Sequence, residues 1–174
     1  MTVNKYTRQL EDLALRIAKA AKESKKDYFI GGGLAIDFFY GQITRNHHDI
    51  DFHPILEDTV WWIEWFKSRG YKVTNRLDPK FPETWRVYNF EGEAIIDMWP
   101  LQQENGVLLI NCEGKYVDAG RYWKETKLVD YKKVDIRIEN PQRVLEQKTR
   151  HASQSQKYRR VDLHDFKLLG KEPK

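Results

Sequence analysis

The segment that most restricts the fold of this chain runs from Ile30 to Pro54 and reads IGGGLAIDFFYGQITRNHHDIDFHP. Three glycines follow a short apolar run, and the mostly apolar stretch 34–40 after them ends at Gly41. This order is typical of a strand, a turn and a short helix. Charged and apolar residues then alternate over 49–53, which predicts another strand. The segment therefore predicts a strand–turn–helix–strand unit.

The rest of the pattern predicts an α/β (α+β) fold. Apolar residues recur at helical spacing between Leu10 and Ala21, and residues 58–69 predict a second long helix. The pattern predicts further strands at 71–76, 85–90, 93–99, 107–112 and 134–138. Two helices follow, one beginning at Asn140-Pro141 and one over 161–169. We expect a small mixed β-sheet flanked by helices, with a short helical C-terminal piece.

Composition limits the class of protein. The one cysteine, Cys112, excludes an internal disulfide and the paired-cysteine metal motifs. No apolar run approaches the roughly 18 residues of a membrane span, and the N-terminus lacks the apolar core of a signal peptide, so we expect a cytoplasmic protein with no membrane partner. The net charge of +4 suits an anionic ligand, or solubility alone. The length predicts a single domain, 1–174, with a core at 1–139 and C-terminal helices at 140–174.

Two carboxylates and three glycines are the residues that indicate a binding site. Asp49 and Asp51 leave the same face of a strand about 6.6 Å apart, and they repel each other unless a cation lies between them. Mg²⁺ takes one or two carboxylates together with substrate phosphates. Gly31, Gly32 and Gly33 lead into a helix N-terminus, which favours a phosphate. Taken alone, the two aspartates also fit an exposed polar edge strand, and the three glycines also fit a plain tight turn. Together the two features indicate a nucleoside triphosphate site.

A third carboxylate, Asp97, lies in a strongly apolar strand, where it is costly unless it is paired or bound to a metal. It is a candidate metal ligand or a base for an attacking hydroxyl, and a buried, hydrogen-bonded aspartate is the alternative. A transition-metal cluster of His47, His48 and His53 is disfavoured, because adjacent residues in an extended chain point to opposite sides. The aromatic residues of the second long helix are interpreted as core: Trp61, Trp62, Trp65 and Phe66.

The central block resembles the signature of the DNA polymerase β-like nucleotidyltransferases. It is most similar to the small antibiotic-modifying branch, the aminoglycoside 2″- and lincosamide nucleotidyltransferases. The matching residues are Gly31, Gly32, Gly41, Thr44, Arg45, His47, Asp49 and Asp51. The resemblance continues through 97–100, 123–126 and 134–141 to the final helices. It departs at Leu34, where relatives often carry tryptophan, and at the additional histidine His48.

This resemblance implies a nucleotidyltransferase fold and Mg²⁺-dependent transfer of AMP from ATP to a small-molecule hydroxyl, such as that of a lincosamide or an aminoglycoside. It implies that Asp49 and Asp51 hold Mg²⁺, and that Asp97 is a metal ligand or a general base. The glycine turn would receive the triphosphate, while Arg45 and Lys148 would pair with phosphate oxygens.

Two other functions stay open at this point. One is nucleotidyl transfer to a protein or a tRNA, as in toxin–antitoxin systems, although nucleic acid is otherwise not expected as a partner. The other is a non-catalytic nucleotide-binding module, against which the intact set of three aspartates argues.

Overall fold

The computed structural model describes residues 2–120, 126–155 and 157–172, so part of the segment 123–126 lies outside the described residues. The helices are α1 (Lys5–Ser24), α2 (Gly32–Tyr40), α3 (Thr59–Lys67), α4 (Pro141–Ser155) and α5 (Arg160–Leu168). The strands are β1 (Tyr28–Ile30), β2 (Ile50–Pro54), β3 (Lys72–Asn75), β4 (Trp85–Tyr88), β5 (Ala94–Met98), β6 (Gln102–Glu104), β7 (Val107–Cys112), β8 (Lys115–Gly120), β9 (Thr126–Tyr131) and β10 (Val134–Glu139).

Seven strands form one mixed sheet in the order β3-β4-β5-β2-β1-β10-β9. The pairs β2/β5 and β1/β10 are parallel, and the other neighbours in this sheet are antiparallel. This architecture confirms the predicted mixed α/β fold. The sequence did not predict β6, β8 and β9, and it therefore missed a second, antiparallel sheet of β6, β7 and β8.

The helix α1 begins and ends with local signals. The side chain of Asn4 caps it by accepting a hydrogen bond from the backbone N–H of Thr7 at 2.8 Å. At the other end Lys25 adopts a left-handed conformation with φ +54°, which stops the helix. Between these ends the apolar stripe that contains Leu13 and Ile17 is buried in the main core.

The two faces of the large sheet differ in character. On one face, alternate residues such as Ile30, Phe52 and Ile138 are fully buried in the core that α1, α2 and α3 cover. The ring of Trp62 from α3 contacts Phe52 at 4.8 Å between centroids, in an edge-on arrangement. Burial of this helix face confirms that its aromatic residues serve the core.

The opposite face carries polar side chains of the central strands. It is partly covered by a small second core, in which Phe29 of β1 packs against Leu101 and Leu108 near the three-stranded sheet. The helix α4 packs against α2 at one end of the large sheet. None of the described helices is both long enough and apolar enough to cross a membrane.

Candidate active site

The three predicted aspartates meet because two parallel strands are paired in register. Asp51 of β2 lies directly opposite Asp97 of β5, and residues paired in this way project from the same face of a sheet. Asp49 lies one residue before the start of β2 at Ile50. The structure thus brings all three carboxylates to one end of β2.

Burial and mutual proximity disfavour the ionised carboxylates. The pKa of Asp51 is raised from 3.8 to about 6, chiefly by burial and in addition by the charges of Asp49 and Asp97. Burial also raises the pKa of Asp49, with a further contribution from Asp97. A bound cation would reverse this effect, because it favours the charged form of each carboxylate.

The fit to a metal ion depends on the number of ligands. Within the described part of the chain, no group of three or more His, Cys, Asp or Glu side chains is arranged to hold a metal ion. This result disfavours the histidine cluster. Asp49 and Asp51 still fit Mg²⁺, which prefers oxygen ligands and commonly takes only one or two carboxylates beside substrate phosphates.

Asp97 is held by two arginines that the sequence analysis did not identify. Nε of Arg86, its cross-strand neighbour on β4, donates to Oδ1 at 2.8 Å. Nη1 of Arg76 donates to Oδ2 at 3.2 Å, and its guanidinium lies 4.9 Å from the ring centroid of Trp99. Asp97 is therefore hydrogen-bonded, as the alternative interpretation of this residue expected, although it is half-buried and not buried. Each of its oxygens has two lone pairs, so both chemical roles remain open to it with the arginines bound.

The glycines begin a helix instead of forming a separate turn. Gly31 is the N-cap of α2, and Gly32 is the first helical residue, with φ +61°. A Cβ atom on Gly32 would lie 1.9 Å from Oδ2 of Asp51, and one on Gly33 would lie 1.8 Å from Nη2 of Arg45. These glycines therefore leave room for two of the predicted site residues at the helix N-terminus.

Arg45 and Lys148 share one buried partner. Nε and Nη2 of Arg45 donate to the two carboxylate oxygens of Asp165 at 2.9 and 3.0 Å. Nζ of Lys148 lies 3.1 Å from Oδ2 of Asp165 and donates to Asp162 at 2.8 Å. Arg159 also donates to Asp162, from Nε at 2.9 Å. Three cations thus alternate with two carboxylates, which leaves one positive charge in excess.

The other residues of the matched block hold α2 in place. Nε2 of His47 and Oδ2 of Asp37 are 2.7 Å apart, and the hydroxyl of Thr44 donates to Oδ1 of Asp37 at 2.5 Å. Burial lowers the pKa of His47, although the hydrogen bond to Asp37 opposes this shift. Thr44 and His47 therefore tie the segment before β2 to the helix that the glycines begin.

A cavity of about 400 Å³, here called the first cavity, collects these groups. All the predicted site residues line it except Asp97: the three glycines, Arg45, Asp49, Asp51 and Lys148. Its size is within the range of small-molecule sites. A second cavity of about 350 Å³ lies beside it, between α4 and the three-stranded sheet. The two cavities share five lining residues, here called the junction: His53, Trp99, Glu139, Gln147 and His151.

Known structures share this fold at low sequence identity. The lincosamide antibiotic adenylyltransferase LnuA with lincomycin bound gives a TM-score of 0.70 at 22% identity, covering 89% of this chain and 92% of that one. ANT(2'')-Ia in complex with adenylyl-2''-tobramycin gives 0.67 at 19% identity, covering 93% and 87%. A nucleotidyltransferase-like protein from Paracoccidioides brasiliensis gives 0.57 at 14% identity, covering 94% and 76%. These similarities establish the nucleotidyltransferase fold.

Curated relatives match only a short piece. A stretch of 56 residues is 32% identical to the leukemia inhibitory factor receptors of Canis lupus familiaris and Rattus norvegicus. The match spans 30% of this chain and only 5% of the length of each receptor, so it carries no argument about function.

The family is established by a match over most of the chain. The family described as aminoglycoside-2''-adenylyltransferase matches residues 13–169, which include every predicted site residue. This chain therefore belongs to that family of nucleotidyltransferases, which confirms the resemblance found in the sequence.

Proposed function

We propose that this protein transfers AMP from ATP to a hydroxyl group of a small molecule of the lincosamide or aminoglycoside type and releases pyrophosphate. The observation that carries the proposal is the position of Asp49 and Asp51. Their carboxylates face a cavity that is also lined by the N-terminus of α2 and by the cationic side chains of Arg45, Lys148 and Arg159. The family and the fold support the same reaction, since the related structures contain lincomycin and an adenylylated tobramycin.

In this proposal Asp49 and Asp51 hold Mg²⁺, which when bound neutralises negative charge on the triphosphate. The donor set supports this choice, because it consists of hard oxygen ligands. The raised pKa of both aspartates further supports it, since a cation relieves the repulsion that contributes to the shift.

The triphosphate would lie at the N-terminus of α2. The free backbone N–H groups of the first helical turn and the helix dipole favour phosphate oxygens there. Arg45 and Lys148 line the same cavity, and the excess positive charge of their network supports a role in phosphate binding. We assign them as cations that act on the phosphates while Asp165 fixes their positions.

Asp97 is proposed as the base that takes the proton of the attacking hydroxyl. It lines neither cavity, so the assignment rests on its position beside Asp51. It projects from the same face as Asp51, and Trp99, which follows two residues later just after the end of β5, belongs to the junction. Arg76 and Arg86 orient the carboxylate of Asp97, and the lone pair of Oδ1 that Arg86 does not use would take the proton.

We also propose that residues 1–174 act as a single nucleotidyltransferase domain. The helix α4 contributes Lys148 to the same cavity as Asp51 of β2, so the C-terminal helices and the core at 1–139 complete one site. Because ATP and Mg²⁺ are abundant in the cytoplasm, we propose that compartment as its location.

The test is a transfer assay. The protein is incubated with Mg²⁺, ATP labelled at the α-phosphate, and separately with lincomycin, tobramycin, tRNA and total cell protein. We expect label on an antibiotic together with release of pyrophosphate, and neither product with the Asp51→Asn variant. Label on tRNA or protein alone would instead support the toxin-like alternative, and nucleotide binding without any transfer would support a binding module.

A further inference from the structure

A fourth carboxylate stands in line with the aspartates. The backbone N–H of Gly31 donates to the carbonyl oxygen of Asp51 at 2.8 Å, which places Gly31 beside Asp51. On the other side of β1, Ile30 pairs in parallel with Ile138, so the next residue of β10, Glu139, lies beside Gly31. Neighbouring strands are about 4.8 Å apart, so Asp51 and Glu139 are separated by the width of one strand that carries no side chain at this position.

The absence of a side chain at Gly31 leaves space for the carboxylate of Glu139. A Cβ atom at Gly31 would lie 3.1 Å from Oε2 of Glu139 and 3.0 Å from Nε2 of His53. Gln147 donates to the other carboxylate oxygen, Oε1, at 2.7 Å, which orients the Glu139 side chain. Glu139 is only 2% exposed, so its carboxylate is almost entirely removed from bulk water.

Glu139 also lies where two ligands would have to meet. It belongs to the junction and therefore lines both cavities. Phosphoryl transfer needs the attacking oxygen in line with the departing pyrophosphate, so an acceptor must approach the nucleotide from the side opposite that group. With the triphosphate in the first cavity, an acceptor in the second cavity approaches through the junction.

The second cavity has the character of a site for a ring-shaped polar molecule. The aromatic rings of Phe81 and Trp99, which are 5.4 Å apart between centroids, form one of its walls. Buried polar groups in such a wall fix the orientation of a ligand through hydrogen bonds. A buried carboxylate accepts hydrogen bonds from hydroxyl groups, and these bonds are stronger than those between neutral groups.

We infer that the second cavity binds the acceptor, a polyhydroxylated small molecule, and that Glu139 is the specificity-determining residue that accepts a hydrogen bond from one of its hydroxyls at the junction. This inference rests on the proposed function and names residues for its second substrate. Glu139 acts on the acceptor and not on the nucleotide.

The test compares variants of two carboxylates, one at the junction and one outside both cavities. Glu139→Gln removes the charge at the junction, and Glu64→Gln makes the same change on α3, where Glu64 forms an exposed pair with Lys67. Steady-state rates are measured with lincomycin and with tobramycin at saturating Mg·ATP, and Mg·ATP affinity is measured by calorimetry. Glu139→Asp serves as a second variant, which keeps the charge but withdraws it by one methylene group.

We expect Glu139→Gln and Glu139→Asp to raise the acceptor KM about tenfold or more, as loss of a hydrogen bond to a charged group does. Their Mg·ATP affinity and their kcat at saturating acceptor should stay close to those of the wild type, and Glu64→Gln should match the wild type throughout. An unchanged acceptor KM in the Glu139 variants, or a loss of Mg·ATP affinity, would overturn the assignment while the proposed function stands. If the wild type transfers AMP to neither antibiotic, the proposed function itself fails, and the Glu139 assignment falls with it.

Discussion

The carboxylate of Asp51 occupies the space beside Gly32, where a Cβ atom would lie 1.9 Å from its Oδ2 atom. The backbone of Gly32 also has φ +61°, which a residue with a side chain adopts only at a cost of about 1–2 kcal/mol. The glycine motif therefore has a role besides access for phosphate, since it sets the position of a carboxylate.

Gly32→Ala should weaken Mg·ATP binding and abolish transfer, because the new methyl group displaces Asp51. Gly41→Ala is the matched control, since Gly41 also has a positive φ, +88°, but no atom lies within 4 Å of its Cβ position. Both variants should lose similar stability in thermal denaturation, and only Gly32→Ala should lose affinity in calorimetry. If both variants bind Mg·ATP like the wild type, the displacement of Asp51 has no consequence for the nucleotide.

The three aspartates should divide into two classes. Asp49→Asn and Asp51→Asn should each abolish transfer and weaken Mg·ATP binding, because each removes a charge that the cation needs. Asp97→Asn should retain Mg·ATP affinity and lower the single-turnover rate by about a hundredfold or more, since an amide cannot take the acceptor's proton. Calorimetry beside single-turnover kinetics separates the classes. Wild-type rates in the Asp49 and Asp51 variants would refute the central role of the pair.

Stability should depend on pH through Asp51 and on Mg²⁺. The pKa of Asp51 is raised from 3.8 to about 6, so the folded protein holds this proton more tightly than the unfolded chain does. The resulting contribution to the free energy of unfolding is fully present below pH 3.8 and is lost as pH rises through about 6. Mg²⁺ should therefore raise the melting temperature more at pH 8 than at pH 5, where protons compete with the cation. Asp51→Asn should remove most of this difference. An equal effect of Mg²⁺ at both pH values would place the cation elsewhere.

Asp165 should be more important for stability than an exposed carboxylate. It is fully buried and accepts hydrogen bonds from Arg45, so Asp165→Asn leaves buried cations without their partner and should cost about 3–5 kcal/mol of unfolding free energy. The control is Glu64→Gln, which removes the exposed pair with Lys67 and should cost no more than about 1 kcal/mol. Urea denaturation measures both. Similar losses in the two variants would show that the buried network contributes no special stability.

Residues close together in the chain were the ones that could be predicted. The glycines, Asp49 and Asp51 lie in one continuous segment, where spacing alone indicates which groups face a common point. Asp165 could not be predicted, because its contact with Arg45 spans 120 positions and depends on how α5 packs. Arg86 was missed for a related reason, since only the register between β4 and β5 places it beside Asp97.

The second sheet was missed because its strands carry a weak pattern. The strand β6 has three residues, and β8 reads KYVDAG, in which neither alternation nor a continuous apolar run stands out. Most residues of these two strands are exposed or half-buried, so their sequences do not show the alternation of apolar and polar residues that predicts a strand. The second sheet is held against the rest of the fold by the small core around Leu108. That core forms only when Phe29 of β1 packs against Leu101 and Leu108, which lie far away in the sequence.

The pairing of β1 with β10 has a consequence for how the chain folds during synthesis. The central strand β1 leaves the ribosome well before β10, so one of its edges stays open until β10 has been synthesised. Such long-range parallel pairing slows folding and leaves an unpaired strand exposed meanwhile. A growing chain therefore contains the glycines and the first two aspartates long before it contains a closed sheet, and its site stays incomplete until β10 and α4 have been synthesised.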